Sequence, residues 1–552
     1  MTKIVFLAAN CSYSHASLAA WCLRAAVNPG EGEWQTLEVT IKDDPDIVAG
    51  RIVAAQPDIL AATLYLFNRQ FVSGVLEKVK ALHGRERPRY IVGGPECLGN
   101  NQFLVQPDGV ADVAVRGEGE QAFPAFLDAV KEGSAWWTIP GICTTRDGVY
   151  RDNGVANVLE DLDSIPPFYH RELAGFTRPF VQLETSRGCG NGCLFCTSRK
   201  SGTRVHSLAR VRGDLRDIER AGIPEIRVVD RTFNEDAARA VALVEIFRDE
   251  FPGLRFHLEI DPARVSGALS NELAKAAPGQ FHIEAGIQSL SPVVYSAIER
   301  QATVTRTVGG LAKLCALKPV EVHVDLIAGL PGGTVKDLLN DLNALIGLEP
   351  EEIQLERLKL LPGTPLAESP ERWGLVAMST PPYAILSTPQ MTKADLKQAD
   401  HLSKILDWFY NVESLRDLMV AAVGTSSNWL ENFVSWVEVR TGFGLCPNLE
   451  DRFKVLAEYL AAQQDGAQSD LINRLHYRWY RLGFSVRQGP CRAAQWKRAI
   501  PDTASILEGD PGVRVSRIWR VELETTHLFC YGTGKRGERA VVAIYRLDED
   551  AS

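Results

Sequence analysis

No part of the 552-residue chain reaches the roughly 18 consecutive apolar residues that a membrane-spanning helix needs, so the sequence predicts no transmembrane segment and no membrane partner. The start does not read as a signal peptide either. MTKIVFLAAN carries one lysine and a short apolar run, and polar NCSYSH follows without a small-residue cleavage site, so the start reads as a first buried strand. Nor is there a disulfide framework: the 11 cysteines are odd in number and, outside one cluster, scattered. That usage suits a reducing compartment and predicts a cytoplasmic protein. An excess of basic charge is absent too. Lys and Arg number 60 against 69 Asp and Glu, a net charge of −9, which argues against a nucleic-acid partner. What is present is globular in balance, 45% hydrophobic and 23% charged, and too long for one ordinary domain.

The most informative stretch is ETSRGCGNGCLFCT, residues 184–197. Cys189, Cys193 and Cys196 stand in a C-x3-C-x2-C spacing, and thiolates are the ligands that hold iron–sulfur clusters. Three ligands on a 4Fe–4S cluster leave one iron open to a substrate or cofactor. Gly188, Gly190 and Gly192 let the backbone wrap closely and turn N–H groups toward anionic sulfurs. Zinc would call for a fourth Cys or His nearby, and the loop holds none.

Residues 1–150 alternate short apolar runs (3–9, 36–41, 59–63, 90–92, 113–115) with helical patterns (17–27, 45–55, 70–82, 120–131). This alternation predicts a doubly wound parallel sheet, in which ligands bind beyond the C-terminal strand ends. Those ends carry NCSYSH with Asn10, Ser12 and His15, LYLFN with Tyr65, GGPE with Gly93 and Gly94, and RGEGE with Gly117 and Glu118. His15 reads either as a metal ligand or as a hydrogen-bonding loop residue. Residues 151–179, with paired prolines and no period, read as a linker.

From 180 to 375 the alternation resumes with six strands, at 180–183, 225–229, 256–260, 281–285, 321–327 and 353–360, and helices such as 210–221, 236–250 and 335–346 between them. Six units suit a partial (β/α)6 barrel with chemistry at the C-terminal strand ends. Asp230, Arg231, Glu259, Asp261, Glu284, Gln288, Ser289, Asp325 and Lys359 collect there, either as ligand contacts or as an internal network such as Arg231 with Glu259.

RGCGNGCLFC, together with EAGIQS and AGLPGG, resembles the radical S-adenosylmethionine (radical SAM) superfamily. The preceding domain resembles that of its cobalamin-binding branch. SYSHASLA, ETSRGC, VVDRTFN, EAGIQS and HVDLIAGLPGG together resemble a subgroup with a C-terminal domain of unknown function. The resemblance covers about residues 1–400 and implies a mechanism. The three cysteines hold a 4Fe–4S cluster whose open iron chelates S-adenosylmethionine. One electron, from a donor such as flavodoxin or ferredoxin, cleaves the sulfonium bond and yields a 5′-deoxyadenosyl radical, which takes hydrogen from an unreactive carbon. It also implies that Phe195, Asp230, Glu259, Gln288 and Ile327 contact S-adenosylmethionine. Cobalamin is then held by Asn10, Ser12, His15, Tyr65, Gly93, Gly94, Gly117 and Glu118, and the reaction methylates or rearranges a carbon of an unknown substrate. The D-x-H-x-x-G pattern of other cobalamin domains is not matched: Tyr13, His15 and Leu18 occupy its register, so only the histidine agrees. A rival resemblance is to tRNA methylthiotransferases, which carry a second cluster on three N-terminal cysteines. Cys11 and Cys97 are suitably placed, the third strand end has no cysteine, and Cys22 falls in a helix. A cluster- or cobalamin-binding carrier without catalysis is the other alternative.

Residues 376–552 predict a mainly helical domain (392–410, 414–423, 429–441, 449–464, 470–482) with Thr392 and Asp395 as a capping-box pair. A strand-rich end follows (513–523, 527–531, 539–546), with GTGKRG as a turn. Trp408, Trp429, Trp436, Trp479 and Trp496 read as core aromatics.

Overall fold

The computed structural model describes residues 2–27, 32–83, 88–463, 468–491, 493–497, 504–509, 515–533 and 539–547. The chain divides into two compact units. One holds residues 1–341 and 355–399, and the other holds 342–354 and 400–552.

The first unit begins with strands β1 (Thr2–Asn10), β2 (Gly32–Thr40), β3 (Ile59–Thr63), β4 (Arg89–Gly93) and β5 (Val113–Val115). They form a parallel sheet in the order β2-β1-β3-β4-β5. β3 is buried along its whole length, as expected when helices cover both faces. On one face Val5 and Leu7 pack with Val48, Ile52, Val72 and Val75. On the other, Ile4 and Phe6 pack with Ala20, Phe123 and Phe126. Ser17 caps the first helix, Leu18–Ala26, by accepting from the Ala20 N–H. The strand order reverses between β1 and β3, which opens a crevice at their C-terminal ends.

Two features extend this reading. A hairpin of β6 (Ile142–Arg146) and β7 (Val149–Asp152) adds antiparallel strands to the β5 edge. β7 therefore crosses the expected domain edge at residue 150. The stretch expected as a linker is no free tether either, because Leu162, Ile165, Phe168, Tyr169 and Leu173 are buried. Its apolar residues are spaced by turns and short helices rather than by one period, which is why no element was legible there.

The second sheet is all parallel, in the order β15-β14-β13-β12-β11-β8. Its strands are β8 (Phe180–Leu183), β11 (Glu225–Val228), β12 (Arg255–Ile260), β13 (Phe281–Gln288), β14 (Val320–Ala328) and β15 (Glu352–Arg357). The cysteine loop is clasped at its base by a short antiparallel pair, β9 (Ser186–Arg187) with β10 (Arg204–Val205). β13 alternates buried and half-buried residues, so one face packs under helices and the other faces the barrel interior. β15 ends at Arg357, short of the expected residue 360, and Lys359 bridges instead to Ala384. β16 (Val376–Ala377) and β17 (Ile385–Ser387) form a further short antiparallel pair.

In the second unit, helices within 400–481 are followed by β18 (Ala493–Trp496), β19 (Ala504–Gly509), β20 (Val515–Glu522), β21 (Thr526–Thr533) and β22 (Arg539–Leu547). These strands make an antiparallel sheet in the order β18-β20-β21-β22-β19. The expected Thr392–Asp395 box is present: the Thr392 N–H donates to the Asp395 carboxylate (2.7 Å) and the Asp395 N–H to the Thr392 hydroxyl (3.3 Å). The helix it starts, Lys393–Ile405, passes into a wider π turn at Leu406–Tyr410. Trp408, Trp429 and Trp479 are buried, and Trp436 packs on Tyr459. The Trp496 side chain and most of the GTGKRG turn lie outside the described residues.

Close packing behind the barrel strands is tightest at Gly310, in the helix Val304–Cys315. A Cβ there would lie 1.9 Å from the Pro262 carbonyl oxygen. Gly310→Ala is expected to destabilise the protein by about 2 kcal/mol. The first transition in urea denaturation measures it, and an unchanged midpoint would contradict the packing.

Candidate active site

Two cavities meet in the first unit. The larger, about 730 Å³, lies at the C-terminal ends of β1, β3, β4 and β5 and is closed on its far side by barrel residues. Asn10, His15, Tyr65, Gly93, Gly94, Gly117 and Glu118 all line it. Gly94 has φ +95°, and a Cβ there would meet the Thr63 side chain at 2.6 Å, so the turn requires glycine. Ser12 does not reach the lining. Its hydroxyl lies 2.9 Å from His15 Nδ1, while the Asn10 amide donates to the His15 carbonyl (3.1 Å). Burial, and then the charges of Arg227 and Arg178, lower the His15 pKa, so the imidazole is neutral near pH 7. Asn68, not singled out in the sequence, locks the Tyr65 loop. Its amide donates to the Ala9 and Thr63 carbonyls, and its oxygen accepts from the Tyr65 N–H (2.7 Å).

The smaller cavity, about 180 Å³, is lined by Cys189, Cys193 and Cys196 together with Phe195, Glu259 and Gln288. Arg231 and Glu259 line both cavities. The cysteine loop is the wall between them: Gly188, Thr197 and Ser198 face the larger space, and the three thiols face the smaller. Gly188, at φ +102°, lets the loop fold back on itself, because a Cβ there would lie 1.8 Å from the Gly202 carbonyl oxygen. Burial raises the pKa of Cys196 and pushes that of Cys193 up to about 11. A cationic centre is what would favour their thiolates. The Asn191 N–H donates to Cys189 Sγ (3.4 Å), and the Thr232 hydroxyl lies 3.4 Å from the same sulfur. Among the described residues, no three His, Cys, Asp or Glu side chains converge tightly enough for a single metal ion. The donor set, three soft sulfurs around a shared space with an N–H turned toward one of them, fits a polynuclear iron–sulfur group.

Of the residues expected to contact S-adenosylmethionine, Phe195, Glu259 and Gln288 share this cavity. Gln288 sits at φ +71°, where the register of β13 against β14 shifts. Glu259 is pushed up to about 7 by burial, against the opposing charge of Arg231. Two expected residues lie elsewhere. Asp230 is outside both linings: its carboxylate accepts from the N–H groups of Thr185 (2.7 Å) and Ser186 (2.9 Å) and from the Thr185 hydroxyl. It braces the chain entering the cysteine loop. Ile327 lines a separate small cleft with Gly329, Leu330 and Asp341. Alternation along β14 turns Asp325 to the cavity, and Ile327 falls beyond its rim.

An ion cluster missed in the sequence joins the two domains. Arg187 pairs with Glu184 (2.8 Å), Glu120 (2.9 Å) and Glu118 (3.3 Å), and Glu118 also pairs with Arg204 (2.5 Å). Glu118, expected to meet cobalamin, is thereby committed to two arginines. Asn234 exchanges two hydrogen bonds of 2.9 Å with the backbone of Asp261. VVDRTFN, visible as a motif, thus supplies a brace (Asp230), a sulfur neighbour (Thr232) and a strand-end lock (Asn234).

The model of the radical SAM superfamily matches residues 183–345, the stretch that carries the cysteine loop and most of the barrel. The barrel is a radical SAM domain. The model of a protein family of unknown function, DUF4080, matches residues 371–487. An uncharacterised methyltransferase of Pyrococcus horikoshii is 26% identical over 342 residues, 59% of this chain and 70% of the relative. A tRNA-2-methylthio-N(6)-dimethylallyladenosine synthase of a Psychrobacter strain is 25% identical over 311 residues, 52% of this chain and 59% of the relative. The solved structure of OxsB, a cobalamin-dependent S-adenosylmethionine radical enzyme, superposes with a TM-score of 0.59 at 16% identity. That match covers 87% of this chain and 79% of OxsB, and shows a shared fold. The chain thus carries a radical SAM domain, and enzymes built on this domain need a reductant and a substrate. Among the described residues, no helix is long and apolar enough to cross a membrane.

Two outcomes follow from these contacts. Asp230→Ala orphans three donors at the foot of the cysteine loop and is expected to cost about 3 kcal/mol; urea denaturation at neutral pH would show it. Glu259 titrates near 7 when folded and near 4.5 when unfolded. The folded state therefore binds more protons between these values, and stability falls as pH rises through them. Glu259→Gln should remove its share of that decline, about 3 kcal/mol. An unaltered pH–stability slope would contradict the burial of its carboxyl.

Proposed function

We propose that the chain is a cobalamin-associated radical SAM enzyme that methylates or rearranges an unactivated carbon. The observation that carries this reading is the pair of cavities on either side of the cysteine loop, meeting at Arg231 and Glu259. Cys189, Cys193 and Cys196 hold a 4Fe–4S cluster, and S-adenosylmethionine lies against Phe195, Glu259 and Gln288. When bound, the cluster supplies the electron that cleaves the sulfonium bond. Around it, this chain's residues orient. Asp230 and Gly188 fix the loop, and Gln288 is held at a bulge.

The larger cavity takes cobalamin. Its volume and its glycine-lined strand ends suit a broad, flat ligand, with neutral His15 and Tyr65 on the wall. Support for the pairing of cofactors comes from OxsB, which shares the fold and was solved with aqua-cobalamin and S-adenosylmethionine bound. The methyltransferase from Pyrococcus supports methyl transfer as the outcome. The methylthio reading is weaker here, because Cys97 is fully buried and outside the lining of the larger cavity, while Cys11 lines it. With all 11 cysteines free of disulfides, the reading includes a reducing cytoplasm and an electron donor of the flavodoxin or ferredoxin kind.

Protein purified without oxygen should carry cluster absorbance, form 5′-deoxyadenosine when reduced with S-adenosylmethionine, and show a cobalamin spectrum. The triple change of Cys189, Cys193 and Cys196 to Ala should abolish the first two and leave cobalamin bound. Turnover surviving in the triple variant would sink the proposal, and a missing cobalamin spectrum after loading would sink its cobalamin half.

A further inference from the structure

Charge pairing inside the two cavities is nearly complete. The carboxylates of the larger cavity's knot are held by Arg187 and Arg204. In the smaller one, Arg264 and Arg300 flank Asp261, His257 holds Glu284, and His323 holds Asp325. Arg199 is taken by Glu299. Arg231 differs. It lines both cavities with an exposed side chain, no hydrogen bond or ion pair joins its guanidinium to a described residue, and its charge acts on Glu259 beside it. Its backbone is fixed, because the preceding Asp230 is bonded on both carboxylate oxygens and the Thr232 side chain is bonded in turn. A cation on a rigid strand end, facing two cavities with no hydrogen-bonded acid of its own, is poised for an anion from outside the chain.

We infer that Arg231 anchors a carboxylate on the substrate. The inference rests on the two-cofactor reading for where the substrate lies. A guanidinium forks onto a carboxylate through two parallel hydrogen bonds. A phosphate dianion suits the place less well, since the lining offers one uncommitted cation and Glu259 stands beside it as a further acid. The rest of the molecule is apolar in part: Phe67, stacked on Tyr65 at 5.4 Å and itself unassigned to cobalamin, lines the same larger cavity and offers an apolar surface there. The class is therefore a monocarboxylic acid with an apolar body.

The test titrates cluster-loaded, cobalamin-loaded protein with 3-phenylpropionate and with its neutral amide, by calorimetry, before and after saturation with S-adenosylmethionine. The acid is expected to bind about tenfold tighter than the amide. That preference should persist under saturating S-adenosylmethionine and vanish in Arg231→Gln, with an unchanged thermal midpoint because Arg231 makes no internal bond. Arg231→Lys, which keeps the charge without the fork, should retain part of it. Equal binding of acid and amide, or a preference that survives in Arg231→Gln, overturns the inference. So does a preference lost when S-adenosylmethionine is added, which would assign the guanidinium to that molecule's own carboxylate. Formation of 5′-deoxyadenosine on the same preparation reports separately on the cofactor reading.

Discussion

The candidate site is organised around one half-buried arginine. Arg187 stands at the foot of the cysteine loop and gathers Glu184 from its own strand end with Glu118 and Glu120 from the β5 end of the preceding domain. A charge largely withdrawn from water is tolerated only when its partners are in place, and removing one leaves the others uncompensated. The cluster therefore does more than add stability. It fixes the separation of the two sheets, and with it the fact that the larger cavity ends where the smaller one begins. Arg204, on the other strand of the clasp below the loop, pairs with Glu118 and draws both ends of the loop into the same network.

Within that frame the two cavities divide the work. The cysteine loop is a partition, presenting sulfur to one side and backbone and small hydroxyl side chains to the other. Asp230 holds the near end of the partition from behind. The interior face of β12, β13 and β14 supplies acidic groups whose protons are set by local partners: burial raises Glu259 and Asp325, while the hydrogen bond from His257 holds Glu284 low. Neighbouring carboxyls in the small cavity thus have opposed shifts, Glu259 toward the protonated form and Glu284 toward the ionised one.

Much of this was legible in the sequence, and for identifiable reasons. The parallel sheets follow from apolar runs alternating with amphipathic helices, and the thiol triad from its spacing and glycines. The strand-end loops mark cavities because parallel sheets place their loops together. What was not legible was direction. Asp230 and Asp325 both lie near C-terminal strand ends, yet the first turns back to brace Thr185 and Ser186 while the second faces the cavity. Ile327, two residues beyond Asp325, falls past the rim. Partnership across distance was equally hidden: nothing local to RGEGE announces that Glu118 and Glu120 belong to an arginine almost seventy residues later. The hairpin at β6 and β7 escaped notice because four- and five-residue edge strands carry too little alternation to stand out.

The Arg187 cluster also bears on how the chain acquires its shape during synthesis. The first sheet leaves the ribosome well before residue 187, and its core residues on both faces are already in hand. It can condense early, but Glu118 and Glu120 must then wait in water, charged and without their arginines. Only when the clasp of β9 and β10 has emerged can they be withdrawn from solvent. The last part of the first domain to settle is thus the rim that borders the larger cavity, and that pocket takes its final form only after the cysteine loop has been made.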